Sequence, residues 1–106
     1  MICREWKLRI MRSSSKEMSI EDFQNYIAKE FPNPKVRKSI REALKLLIKD
    51  PLANAREKLG MDIFGNQMFS IEVTKDIRIL YSMDSKKNCI ALIWKIGSHK
   101  KAYGRD

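Results

Sequence analysis

An α+β domain is predicted, with two N-terminal helices packed on a small, mainly antiparallel four-stranded sheet in the order β-α-α-β-β-β. Three observations carry this. A short alternating run spans Trp6 to Ile10; two stretches with helical spacing of apolar residues follow between Ser19 and Asp50; and three strand-like runs succeed one another between Phe69 and Trp94. With 106 residues there is room for one domain, 1–106, which at this size buries roughly 65% of its unfolded surface.

Trp6, Leu8 and Ile10 alternate with Lys7 and Arg9, giving a first strand with a basic outer side that ends at Ser13-Ser14-Ser15. Ser19 is a good N-cap: Glu21 and Asp22 then lie in the first turn, where they favour the helix dipole, and Met18 is spaced to staple onto Phe23. Phe23, Tyr26 and Ile27 form the apolar face of a short helix ending before Pro32, a face whose plain role is core packing. Asn33-Pro34 is a second start signal, with Asn as cap and Pro at the first helical position. Val36, Ile40, Ala43, Leu44, Leu47 and Ile48 share one side of that helix, which ends at Asp50-Pro51. Lys35, Lys38, Arg41, Lys45 and Lys49 fall on the other side. Leu52 to Leu59 reads as a loose turn of helix, and Met61 to Gln67 as a loop whose Gly65 and Asn66 suit positive-φ positions.

In the last third, Phe69, Ile71 and Val73 alternate with Ser70, Glu72 and Thr74, the signature of a half-buried strand. Lys75-Asp76 turns the chain. Ile77, Ile79, Tyr81 and Met83 then alternate with Arg78, Leu80 and Ser82, which predicts a strand paired antiparallel to the first and sets Arg78 on the less apolar face. After a polar turn from Asp84 to Asn88, Cys89 to Trp94 is a nearly unbroken apolar run, expected of a central strand covered on both faces.

The 22 Lys+Arg against 13 Asp+Glu give a formal charge of +9, which favours a polyanionic partner: nucleic acid, a membrane surface or an acidic protein. The excess is local. Lys35 to Lys58 holds eight basic and three acidic residues, Lys95 to the end four and one, and Gly60 to Trp94 four of each. A fold that brought the two basic regions together would make a positive cleft. The stripe on the second helix is otherwise a solvated face. No apolar run approaches the ~18 residues of a membrane span, and Met1 to Trp6 has no apolar signal core, so a cytoplasmic protein is expected. Cys3 and Cys89 lie in no C-x-x-C or Cys/His array. Neither a zinc site nor a disulfide framework is indicated, and buried free thiols are the plain reading.

Several motifs recur here in a particular order. Leu59-Gly60, an aromatic-led strand at Phe69, Arg78-Ile79-Leu80-Tyr81, an apolar strand, and Gly97 followed six residues later by Tyr103 together resemble the RelE/ParE toxin superfamily, small bacterial toxins many of which cut mRNA on the ribosome. The resemblance runs by motif from Glu57 to Tyr103 and by element order over the rest. It implies a toxin held inactive by a cognate antitoxin protein, with mRNA and the ribosome as targets, and neither metal nor cofactor. The alternatives within the same resemblance are a ParE-like inhibitor of DNA gyrase and a degenerate, inactive member.

The endonucleases of that superfamily need a base for the ribose 2′-hydroxyl, cations around the phosphorane and an acid for the departing 5′ oxygen. The resemblance assigns Arg78 to the phosphate, since its guanidinium suits two-point contact. An ion pair with Glu72 across the hairpin is the structural alternative. His99, two residues after Gly97, is assigned acid or base because imidazole titrates near neutrality. Tyr103 closes the motif, to stack on a base or orient the phosphate, or simply to cap the sheet. Glu72 and Glu57 are rival bases, the latter resembling the carboxylate of YoeB-like toxins, while Asp76 matches an aspartate of YafQ-like ones. Ser70, Glu72 and Thr74 stand where RelE-like sequences often carry lysine or arginine, which is the main departure from the pattern. Lys75, Lys100, Lys101, Lys38 and Lys45 are the expected RNA-backbone contacts.

Overall fold

The computed structural model describes residues 5–11, 17–53, 55–84 and 89–98. The elements are β1 (Lys7–Met11), β2 (Glu17–Met18), α1 (Ile20–Glu30), α2 (Pro34–Lys49), β3 (Glu57–Met61), β4 (Gln67–Glu72), β5 (Ile77–Asp84) and β6 (Ile90–Ser98). The class is α+β as expected, but the sheet has six strands rather than four, in the order β2-β1-β6-β5-β4-β3. All neighbours are antiparallel except β1 and β6, which run parallel with Lys7 opposite Ile90 and Ile10 opposite Ile93.

Both helices begin and end where their capping residues dictate. The Ser19 hydroxyl accepts the Asp22 amide at 3.1 Å, and Asn33 Oδ1 accepts the Lys35 amide at 2.8 Å with Pro34 in the first turn. Each thereby satisfies a donor that the helix cannot. At the far end of α2, Asp50 Oδ1 accepts the Leu52 and Ala53 amides, turning the chain at Pro51. Ile27, Ile40, Ala43 and Leu47 pack onto Ile71, Ile79, Tyr81, Ile93 and Ile96, so both helices cover one face of the sheet. The Tyr81 hydroxyl is buried in that layer and donates to the Pro51 carbonyl. Burial, followed by the nearby Asp50 carboxylate, pushes its phenol pKa far up.

Two strands were not expected, and each has a physical reason for being hard to read. The segment expected as a loose helical turn up to Leu59 contains β3, Glu-Lys-Leu-Gly-Met, in which only Leu59 is half-buried and the rest are exposed. It is an edge strand held by its backbone ladder to β4, with Glu57 opposite Ser70 and Lys58 opposite Phe69. Burial leaves no alternation in such a sequence to detect. β2 is two residues long. The expected covered strand is there: Ile90, Ala91, Leu92 and Ile93 are all buried between β1 and β5. Its continuous apolar run hides a change of phase, however, since between the pairs Tyr81–Ile93 and Leu80–Lys95 the residue Trp94 is extra. This bulge lets Ile93 and Ile96, three residues apart, both face the helices, while Trp94 reaches Ser82 on the other face.

Gly65 takes the expected positive φ, +82°, whereas Asn66, also expected there, does not. The reading of both cysteines as free thiols fails at Cys89, which is disulfide-bonded; Cys3 lies outside the described residues. Spacing rules look for neighbouring cysteines, whereas here parallel pairing brings the start of β1 to Cys89, whose carbonyl accepts the Lys7 amide at 2.8 Å. Among the described residues no helix is long and apolar enough to cross a membrane.

Candidate functional site

The face of the sheet opposite the helices carries the residues that alternate with the core. At one end of it, Glu72 closes β4 and Arg78 opens β5 as direct partners across the hairpin. The Thr74 hydroxyl shapes the turn between them by accepting the Asp76 amide at 3.3 Å and the Ile77 amide at 3.2 Å. Arg78 then folds back over this turn. Its Nη1 donates to the carbonyls of Thr74 at 2.7 Å, Lys75 at 3.2 Å and Ile77 at 3.3 Å. Its Nη2 lies 3.2 Å from Glu72 Oε1. The side chain is only 10% exposed, and its Nε is buried without a hydrogen-bond partner. The structural alternative for Arg78, an ion pair with Glu72, is therefore present together with a turn-clamping role.

Glu72 is shared. Its Oε1 also lies 3.7 Å from Arg56 Nε, and Arg56 is 58% exposed. The amide of Arg56 donates to the Ser70 carbonyl at 2.7 Å, anchoring the approach to β3. That pairing sets Glu57 opposite Ser70, on the same face as Glu72. The two carboxylates differ in what they can do: Glu72 is held between two guanidiniums, whereas Glu57 is exposed and makes no ion pair among the described residues. Lys75 and Asp76 sit exposed at the hairpin tip nearby.

Glu57, Glu72, Arg78 and Lys75 are thus brought to one end of the uncovered face. Lys38 and Lys45 are not, because α2 buries Ile40, Ala43 and Leu47 against the other face and turns its basic stripe away from the sheet. The basic regions on α2 and on the uncovered face are separated by the sheet itself. His99, Lys100, Lys101 and Tyr103 lie outside the described residues. β6 does bring Gly97 opposite Arg78 and Ser98 opposite Ile77.

A second cluster, which sequence reasoning missed, lies about 13 Å along β5 at four residues' rise. Trp94 Nε1 donates to Ser82 Oγ at 2.9 Å, and Ser82 Oγ donates to Asp62 Oδ2 at 2.5 Å. Asp62 also organises the β3–β4 loop, its Oδ1 accepting the Phe64 amide at 2.8 Å and the Asn66 amide at 2.9 Å, while Asn66 Nδ2 reaches Oδ2 at 3.4 Å. Burial works against ionisation of Asp62, but the bond from Ser82 and those from Asn66 and Phe64 outweigh it, and its pKa falls below the ordinary carboxylate value. Phe64 is displayed at the loop tip, its ring 6.0 Å from that of Trp94 and tilted by 40°. The only local signal was an aspartate four residues ahead of an asparagine with a glycine between them; the partners Ser82 and Trp94 are distant in sequence.

No protein-family model matches the chain, and no curated protein matches it.

Proposed function

We propose that this chain is the toxin of a type II toxin–antitoxin pair, of the RelE/ParE kind, and cuts mRNA on the translating ribosome without a metal. The observation that carries the reading is the exposed, unpaired Glu57 carboxylate on the same sheet face and at the same end as the Arg56–Glu72–Arg78 cluster. In this scheme Glu57 takes the proton of a ribose 2′-hydroxyl, and the freed oxygen bonds to the adjacent phosphorus. The bond to the 5′ oxygen then breaks, leaving a cyclic 2′,3′-phosphate, and His99 protonates the departing oxygen. Arg56 and Lys75, both exposed, steady the phosphorane, while Arg78 holds the hairpin that supports them. The partner is an antitoxin, for which the basic stripe on α2 offers an acidic protein a complementary surface.

One observation favours the non-catalytic reading, ParE-like inhibition of DNA gyrase: the Arg78 guanidinium is already committed to carbonyls and to Glu72. The test adds purified protein to a translating extract and maps mRNA ends by primer extension, beside Glu57→Gln and His99→Ala. New ends that vanish in both variants support the nuclease. Intact mRNA with normal translation overturns it, and a supercoiling assay then tests the gyrase reading. Arg78→Ala is a poor first variant, since it disturbs the hairpin as well as any chemistry.

A further inference from the structure

We propose that the far end of the uncovered face holds a stacking site for an unpaired base of single-stranded RNA, with Phe64 as the stacking surface. A groove of about 420 Å³ crosses the sheet there. Phe64 and Asn66 of the β3–β4 loop form one wall, Arg9, Met11 and Glu17 of β1 and β2 the other, and Asp84 at the end of β5 and Leu92 of β6 lie between them.

Three features give this groove its chemistry. Phe64 is 54% exposed, so one part of its ring is accessible to a ligand. The ring is also not loose: the loop beneath it is closed by three hydrogen bonds to the Asp62 carboxylate, and Trp94, against which it packs, is fixed through Ser82 to the same carboxylate. A fixed aromatic surface stacks a base at little entropic cost, and every base has a π-face to offer. Finally, the exposed Arg9 lines it, beside the carboxylates of Glu17 and Asp84, and Lys7, two residues away on β1, shares its sheet face. Arg9 is only loosely held, 3.9 Å from Glu17 with both side chains about half exposed, so it is available to a phosphate. An acidic protein would be met by the same cations but gains little from a raised, exposed ring. A single strand uses both.

The inference deepens the proposed nuclease reading by adding a base-binding site beyond the scissile phosphate, yet binding is measurable without cleavage. Labelled short RNA homopolymers are titrated with the ribosome-free protein at low salt, read by fluorescence anisotropy. Phe64→Ala is expected to weaken binding roughly 5- to 150-fold, the equivalent of the ~1–3 kcal/mol a stacked base contributes at ~1.4 kcal/mol per tenfold. Its salt dependence stays unchanged, and Phe64→Trp restores the affinity. Arg9→Gln is expected instead to lower the slope of log K on log salt by about 0.7, one phosphate on a single strand. Unchanged affinity in Phe64→Ala overturns the proposal, as does wild-type protein that binds no single-stranded RNA or prefers a duplex. If extract mRNA stays intact while Phe64→Ala loses binding, the nuclease reading falls and this site stands. If mRNA is cut and Phe64→Ala binds and cuts as wild type does, this site falls alone.

Discussion

On the helix-covered face of the sheet, Ile71, Ile79, Ile93 and Ile96 meet Ile40, Ala43 and Leu47; on the other face, intervening residues of β4 and β5 include Ser70, Ser82 and Arg78, buried just as deeply. The first set is held by apolar contact, which is non-directional and roughly proportional to area. Directional bonds hold much of the second, from the Arg78 guanidinium to three carbonyls and from Ser82 to Asp62 and Trp94. Burial therefore means two things in one sheet. Shrinking a residue on the helix face leaves a cavity, whereas removing one on the open face strands its partners without hydrogen bonds.

The largest expected effect tests the helix face. Leu47, with no exposed surface, should cost about 2–5 kcal/mol when replaced by Ala, measured by chemical denaturation. A cost under ~1 kcal/mol would mean that the helices contribute less than their packing suggests. Next comes Arg78→Ala on the open face, expected to lose about 2–3 kcal/mol as charged hydrogen bonds to the turn disappear. Arg78→Lys should recover only part of it, because one ammonium cannot reach both the turn carbonyls and Glu72. Full recovery would show that charge alone matters there. Smallest is Asp62→Asn, about 1 kcal/mol or less at neutral pH. Because folding lowers the Asp62 pKa, its contribution is present above the unfolded value of 3.8 and is lost as pH falls through the folded one. An acid titration of stability should accordingly be flatter in the variant below pH 3.8, and identical curves would remove Asp62 from the account.

The frame of the molecule was legible wherever sequence and local physics agree. Ser19, Asn33-Pro34 and Asp50-Pro51 mark helix ends because capping is decided within four residues. The β4–β5 hairpin was legible for the same reason, and with it the facing of Glu72 and Arg78. What escaped depends on distant partners or on edges. β3 has no buried face to imprint a period, the Trp94 bulge is masked by uniformly apolar neighbours, and the Asp62–Ser82–Trp94 chain joins three elements. The clamping of Arg78 fell between: its partner was readable, but the three carbonyls were not, since a folded-back guanidinium leaves no trace in residue order.

The parallel pairing of β1 with β6 bears on how the chain is made. β1 precedes β6 by some eighty residues and, although β2 pairs with it at once, meets its parallel neighbour only when the residues through Ile93 have followed, because Lys7 to Ile10 pair with Ile90 to Ile93. The antiparallel meander of β3, β4 and β5 needs only local closure and can form sooner. Until β6 arrives, the apolar stripes of α1 and α2 lack part of the surface they rest on, including Ile93 and Ile96. The nascent protein therefore passes through an interval in which a sticky, incomplete layer is exposed, and its safe production depends on how quickly the last strand is delivered.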